Sequence, residues 1–238
     1  MIPIRNAAGE RLDVAFHDAE KSDCLVVLGH GLTGNKDRPL LVEIADALAE
    51  SGWPCLRISY SGNGDSEGAF TDSNITKEVA DLGAVIDQVG SGKRIAYIGH
   101  SMGGAVGALF AARDERVKVL VSLAGMVHTA EFVQREFGDV APDEGLMWDE
   151  PDSPLSQSYV DDLEQIGSTL DAAKELRLPW LLLHGSADDV VFPRDSQDII
   201  KVLRRPSKLV EIEGAGHSFD NHYSELIVNI SEWLEKYL

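Results

Sequence analysis

The chain is poor in cysteine, in basic residues and in long apolar runs, and each shortage excludes a class of protein. Its two cysteines, Cys24 and Cys55, have no C-x-x-C spacing that would indicate a metal or redox site. Both fall in apolar, strand-like segments. We therefore expect two buried, unpaired thiols in a reducing compartment rather than a disulfide.

Basic residues are about half as frequent as acidic ones. Lysine and arginine together number 21 and aspartate and glutamate 40, which gives a formal net charge of -19. A surface of this sign repels nucleic-acid phosphates and anionic membranes. We expect a small-molecule ligand and no nucleic-acid partner, and the composition does not indicate an oligomeric state.

Apolar runs stop well short of the roughly 18 residues that a membrane span needs, and none follows a basic start. We expect no membrane insertion and a soluble protein that acts in the cytoplasm. The sequence also lacks a repeat of fixed period and a low-complexity linker. With 44% hydrophobic residues, one domain over residues 1–238 can bury a sizeable core.

Strand-like and helix-like segments alternate along most of the chain. At the N-terminus, Ile2–Ile4 and Leu12–Phe16 are expected to form an antiparallel hairpin. The run Cys24–Leu28 is apolar without alternation, which is typical of a strand covered on both faces. Further strands and helices follow in turn. This order predicts an α/β fold with a mostly parallel sheet of about eight strands and helices on both faces.

One stretch interrupts the alternation. Residues from about 126 to 167 mix aromatic residues, prolines and acids, with eleven acids and the single base Arg135. Because this stretch follows a strand, we expect a cap inserted over the site. Six of its apolar residues either line a substrate pocket or anchor the cap to the core: Phe132, Phe137, Leu146, Met147, Trp148 and Tyr159.

The segment Gly99–Gly103, which reads G-H-S-M-G, lies between an apolar strand and a helix of small residues. At such a strand-to-helix turn the backbone of the central serine is strained and its side chain is presented for reaction. Ser101 is therefore the candidate nucleophile. Met102 opens the helix, and its unpaired N–H is a candidate oxyanion donor.

A base and an acid are expected at two other strand ends. His217 lies in a glycine-containing turn after the last expected strand, and a neutral histidine is the usual base for a serine. Asp188 and Asp189 follow the preceding strand, where an acid would orient that imidazole. The order serine, aspartate, histidine is the one expected for this turn on an α/β sheet. Other histidines at strand ends, such as His30 and His100, are expected to brace loops.

The second oxyanion donor is expected in the loop after the first parallel strand. There, in His30-Gly31-Leu32, the glycine would let the Leu32 N–H turn toward the site. With these segments the whole chain resembles serine hydrolases of the α/β-hydrolase superfamily. Its H-G-L-T-G-N loop and the size of its cap are similar to small microbial carboxylesterases, including cinnamoyl and feruloyl esterases.

The resemblance implies a serine carboxylesterase acting on small to medium neutral esters, including aromatic-acyl esters, with no metal or organic cofactor. Two alternatives stay open. A thioesterase or acyltransferase would share the acyl-enzyme intermediate, and a non-catalytic ligand receptor can retain the same residues.

The acid loop and position 61 can each be compared with the pattern of the relatives. Relatives often read H-G-x-x-D-x-x-V in the acid loop, which favours Asp188 when counted forward from Gly185. Counting back from Pro193 favours Asp189 instead. We expect Asp188, because the end of the strand fixes where the loop begins. The chain also departs from its relatives at Ser61, where they often carry an arginine.

Overall fold

The computed structural model describes residues 3–204 and 206–238. Its centre is a seven-stranded sheet, with strand order β1-β3-β2-β4-β5-β6-β7 in the described ranges. The strands are β1 (Asp13–His17), β2 (Cys24–Gly29), β3 (Cys55–Ser59), β4 (Arg94–His100), β5 (Val117–Leu123), β6 (Trp180–Gly185) and β7 (Ser207–Ile212). Only β1 is antiparallel to its neighbour, so the carboxyl ends of the other six strands meet at one edge.

Helices cover both faces of this sheet. They are α1 (Pro39–Glu50), α2 (Ile75–Val89), α3 (Met102–Ala111), α4 (Thr129–Phe137), α5 (Gln157–Ile166), α6 (Leu170–Glu175), α7 (Arg194–Val202) and α8 (Tyr223–Tyr237). Helices α1 and α8 pack on one face, and α2, α3, α6 and α7 contribute to the core on the other. The result is the mostly parallel, doubly covered sheet that the alternating sequence predicts.

The burial of the strands explains their sequences. All residues of β2 and β3 are buried, so a continuous apolar run suits β2 better than an alternating one. The edge strand β1 is only partly buried and carries polar residues. In β2 and β3, Cys24 and Cys55 are buried and free, as expected.

The N-terminal hairpin is smaller than expected. Ile2 lies outside the described residues, and the remaining pairing consists of an isolated bridge between Arg5 and Arg11 and a hydrogen bond from the Leu12 N–H to the Ile4 carbonyl at 2.9 Å. Pairing does not extend into β1, where the Asp13 N–H donates to Ser66 Oγ at 2.8 Å. The described sheet therefore has seven strands where about eight were expected.

The segment between β5 and β6 contains α4, a short 3-10 turn at Met147–Asp149, α5 and α6. Helix α4 packs on α5, and α5 packs on α2. Residues 126–167 therefore add helices, and no sheet strand, at the edge where β5 ends. In the described ranges, no helix combines the length and the apolar character that crossing a membrane requires.

Candidate active site

Ser101 occupies a strained turn between β4 and α3. Its backbone has φ 55° and ψ -122°, a left-handed conformation that costs a non-glycine residue about 1–3 kcal/mol. A Cβ atom on Gly99 would lie 2.2 Å from the Gly103 carbonyl oxygen, and one on Gly103 would lie 2.6 Å from the His30 carbonyl oxygen. The turn therefore requires glycine on both sides of the serine.

The loop after β2 passes directly beside this serine. A Cβ atom on Gly31 would lie 2.7 Å from Ser101 Cβ and 3.2 Å from Ser101 Oγ. The backbone N–H groups of Leu32 and Met102 have no acceptor among the residues that the structure describes. Both amides can therefore donate to an oxygen atom bound next to Ser101. The Met102 side chain itself is buried in the core.

Asp188, and not its neighbour, contacts His217. The carboxylate Oδ2 of Asp188 lies 2.9 Å from His217 Nδ1. Its Oδ1 accepts the N–H groups of Val190 and Val191, each at 3.0 Å. Asp189 is exposed to solvent. The structure thus joins one of the two candidate acids to the candidate base.

The environment of Asp188 keeps this carboxyl group ionised. Burial acts to raise its pKa, but the hydrogen bonds from His184 and His217 outweigh burial and hold the pKa below its ordinary value. His184 Nε2 lies 3.3 Å from Asp188 Oδ2. A carboxylate that is ionised at neutral pH can orient the His217 ring and stabilise its charged form.

Ser101 and His217 line one cavity of about 510 Å³ at the carboxyl edge of the sheet. In the described chain no hydrogen bond joins Ser101 Oγ to His217. Asp188 and His217 are therefore in direct contact, and Ser101 lines the same cavity as His217. Such bonds are often long in ligand-free sites and shorten when substrate binds.

Two further histidines brace the loops around this cavity, as the sequence predicts. His30 Nε2 accepts the Tyr60 N–H at 3.1 Å, and His30 Nδ1 lies 2.7 Å from the Gly31 carbonyl oxygen. His100 Nε2 lies 3.0 Å from the His217 carbonyl oxygen. Burial, with the adjacent His217, lowers the pKa of His100 to about 3, so His100 is neutral and donates this bond.

The six apolar residues expected over the site divide into two groups. Phe132 and Trp148 line the cavity. Phe137, Met147 and Tyr159 are buried in the core instead, and Leu146 is half-buried away from the cavity wall. The Phe137 ring packs against two other aromatic rings, with its centroid 4.9 Å from that of Trp148 and 6.5 Å from that of Tyr159. These four residues anchor the segment and do not line the pocket.

Other lining residues were not foreseen from the sequence. They come from the loop after β2, the start of α1, the loop of Asp188 and the turn that leads into α8: Thr33, Arg38, Pro39, Leu40, Val190, Ser218, Asp220 and Tyr223. Ser218 and Asp220 could have been found from the sequence, because they lie within three residues of the candidate base His217. The start of α1 carried no such signal, because its closeness in sequence to the loop of Leu32 does not show which of its side chains face the cavity.

Metal ligands are not grouped in this fold. Within residues 3–204 and 206–238, no three His, Cys, Asp or Glu side chains come together so as to hold a metal ion. The groups closest to Ser101 are a histidine–carboxylate pair and backbone amides, and the cavity wall also carries polar side chains such as Arg38 and Asp220.

Two curated proteins of known name resemble the chain in sequence. The mitochondrial palmitoyl-protein thioesterase ABHD10 of Pongo abelii is 27% identical over 154 residues, which are 59% of this chain and 49% of that protein. Esterase LipC of Mycobacterium tuberculosis is 26% identical over 199 residues, 74% of this chain and 48% of that protein. The chain spans about half the length of these two relatives.

Solved structures resemble the chain over nearly its whole length. Est1E from Butyrivibrio proteoclasticus with ferulic acid bound has a TM-score of 0.89 at 26% identity, covering 100% of this chain and 99% of that one. Mouse alpha/beta hydrolase domain-containing protein 10 has a TM-score of 0.80 at 19% identity, with 95% of each chain covered. A family model described as the alpha/beta hydrolase fold matches residues 25–166. The chain is therefore a member of the α/β-hydrolase family.

Proposed function

We propose that this hydrolase is a serine carboxylesterase that cleaves esters with a small to medium neutral acyl group, including aromatic acyl groups. The observation that carries the proposal is the cavity itself. It brings the strained Ser101 turn, the Asp188–His217 pair and the loop of Leu32 to one wall.

In the proposed reaction, Ser101 Oγ attacks the acyl carbon while His217 Nε2 takes the hydroxyl proton. The Leu32 and Met102 N–H groups stabilise the oxyanion, and in a precedent the loss of one such donor costs about 2.7–4 kcal/mol. His217 then gives the proton to the leaving alcohol. A water molecule, activated by His217, cleaves the acyl-enzyme and restores the serine. Asp188 holds His217 in the tautomer that these transfers need.

The acyl group is inferred from the walls and the size of the cavity. A volume of about 510 Å³ suits a small or medium ligand. Phe132 and Trp148 provide aromatic surface for an apolar or aromatic acyl group. The similarity to Est1E, whose structure contains ferulic acid, supports the same choice.

Thioester hydrolysis is the second candidate. The sequence similarity to a palmitoyl-protein thioesterase supports it. Thioesters and oxygen esters share the acyl-enzyme and differ only in the leaving group, so one site can serve both.

The test is covalent labelling combined with turnover. The parent protein should react with a fluorophosphonate probe and should hydrolyse a short-chain nitrophenyl ester. Ser101→Ala should lose both, whereas Ser51→Ala, at the end of α1 and away from the cavity, should retain both. Labelling without turnover would indicate a ligand receptor, and labelling that persists in Ser101→Ala would refute the mechanism.

A further inference from the structure

Arg38 contributes a positive charge to the wall of the active-site cavity. This exposed residue immediately precedes α1, and its Nη2 donates to the Thr33 carbonyl at 3.1 Å. That bond ties the guanidinium group to the loop beside Ser101. Burial mainly lowers the pKa of His30 to about 4, and the Arg38 charge adds to the effect. The bond to Thr33 thus places the guanidinium group next to the loop that carries Leu32.

Arg38 has no carboxylate partner among the residues that the structure describes, although the chain has 40 acidic residues for 21 basic ones. Its neighbours differ in this respect. Lys36 and Arg57 both pair with Asp37, and Lys36 also pairs with Asp13 at 3.0 Å. In a protein with such an excess of acids, an unpaired guanidinium group inside the active-site cavity is available to a negatively charged ligand.

The geometry of the reaction indicates which part of an ester would meet Arg38. His217 must deliver its proton to the leaving oxygen, so the alcohol part of the substrate lies on the His217 side of the cavity. Ser218, Asp220 and Tyr223 follow His217 on that wall. Helix α8 begins at Tyr223 and packs against α1, which begins next to Arg38. Arg38 therefore belongs to the end of the cavity that holds the alcohol.

We propose that this end of the cavity binds a carboxylate on the alcohol part of the ester, with Arg38 as its ligand. The inference rests on the proposed esterase function and refines it: the acyl group is neutral, whereas the alcohol is that of a hydroxy acid. A planar guanidinium group matches a carboxylate with two parallel hydrogen bonds.

A single negative charge suits this end of the cavity better than a dianion. Asp220 lines the same wall and accepts the Tyr223 hydroxyl at 3.3 Å. The single positive charge of Arg38 can balance one negative charge on a ligand, whereas the second charge of a phosphate dianion would meet only repulsion from Asp220 and from a chain of charge -19.

The first experiment compares two acetyl esters that differ only in charge, 3-acetoxybenzoate and 3-acetoxybenzamide. The ratio of their kcat/KM values, acid over amide, should fall about fivefold in Arg38→Gln, because an exposed pair contributes modestly. Arg38→Lys should give an intermediate ratio. Arg113→Gln removes the same charge at an exposed site outside the cavity wall, and should keep the parent ratio.

The second experiment separates this inference from the esterase function. Calorimetric titration of Ser101→Ala, which cannot form the acyl-enzyme, should show tighter binding of 3-acetoxybenzoate than of the amide, and Ser101→Ala/Arg38→Gln should lose that preference. If the parent hydrolyses neither ester but the binding preference depends on Arg38, the esterase proposal fails and the carboxylate site stands. If both esters are hydrolysed with a ratio that Arg38→Gln leaves unchanged, the carboxylate site is refuted and the esterase stands. Absence of both hydrolysis and binding overturns both.

Discussion

Asp188 and Asp189 are adjacent carboxylates with opposite surroundings, and this contrast permits a prediction at the scale of one residue. Asp188 is buried and bonded to His217, whereas Asp189 is exposed. An amide at position 188 would favour the wrong tautomer of the imidazole. Asp188→Asn should therefore lose on the order of 10⁴ in kcat, as in the serine-protease precedent. Asp189→Asn should stay within about tenfold of the parent.

The measurement is kcat on a nitrophenyl ester for both variants, each first shown by circular dichroism to be folded. The pair forms its own control, because the two substitutions make the same chemical change at neighbouring positions. A larger loss in Asp189→Asn would mean that the acid which acts in solution is not the one in contact with His217.

The residues that sequence reasoning could place share one property: each directly follows a strand. Ser101, Asp188 and His217 meet because parallel strands end at one edge, so strand order and spacing suffice to bring them together. Their roles in catalysis remain predictions. The apolar residues of 126–167 could not be divided into lining and anchoring sets, since helical period gives a buried face but not what that face contacts. Arg38 could not be identified either, since Lys36 and Arg38 both precede α1 and only the structure shows which of them lines the cavity.

At the scale of elements, α2 carries a buried carboxyl group that faces the helices of the inserted segment. Glu78 is 1% exposed. Its Oε1 accepts the Ser73 hydroxyl at 3.3 Å, and its Oε2 has no partner in the described chain. Burial raises the pKa of Glu78 well above 4.5, and the negative charges of Asp81 and Asp162 raise it further. Asp162 of α5 also accepts the Thr76 N–H of α2 at 3.0 Å, so this group lies where the two helices join.

This shift predicts a pH-dependent stability. Between pH 4.5 and the raised pKa, the folded chain holds a proton on Glu78 that the unfolded chain has released. Stability therefore falls as pH rises through this window, by up to about 1.4 kcal/mol per pH unit. Below pH 4.5 both states are protonated, and the effect vanishes.

Glu78→Gln removes the titrating group while keeping its shape and an acceptor for Ser73. In thermal melts from pH 4 to 8, the melting temperature of the variant should rise relative to that of the parent as pH rises. Glu164→Gln, at an exposed site on α5, should show no such trend. Parallel melting curves for Glu78→Gln and the parent at every pH would contradict the prediction.

Elements were easier to foresee than their exact pairing. The continuous apolar run of Cys24–Leu28 identifies β2, because burial on both faces leaves a strong pattern. Of the predicted N-terminal hairpin, the segment Leu12–Phe16 largely forms the antiparallel edge strand β1, whereas the segment before it joins it only through local pairing around an isolated bridge. Helix α6 is six residues long and gave too short a pattern to recognise.

At the scale of the whole molecule, charge is distributed unevenly around the site. Eleven acidic residues and one basic residue lie between 126 and 167. One of these acids, Glu136, accepts the Trp148 Nε1–H at 2.9 Å, which puts a carboxylate beside the cavity wall. A carboxylate of this acidic segment thus lies next to a lining residue, while Arg38 is a positive charge on the cavity wall. Ligands with several negative charges should be disfavoured even where a monoanion is accepted.

Two thioesters with the same acyl group test this charge effect directly: an acyl-coenzyme A and the corresponding S-acyl-N-acetylcysteamine, which lacks the nucleotide phosphates. The reacting bond is identical, so a difference in kcat/KM comes from the rest of the leaving group, and its dependence on salt reports the share that is due to charge. The neutral thioester should be favoured about tenfold or more at low ionic strength. The gap should narrow at 1 M salt, where charges are screened beyond about 3 Å.

A pair of variants locates the origin of the effect. Asp149→Asn/Glu150→Gln removes two exposed charges next to Trp148, and should improve kcat/KM for the coenzyme A thioester more than for the neutral one. Glu115→Gln/Glu175→Gln removes two charges at the opposite end of the sheet, beside the start of β5 and the end of α6, and should change neither by more than about twofold. If both double variants raised kcat/KM for the coenzyme A thioester equally, the preference for the neutral thioester would come from the net charge of -19 rather than from the segment over the site. A higher kcat/KM for the coenzyme A thioester in the parent would refute the prediction, because the acidic segment 126–167 would then present no barrier to a polyanionic substrate.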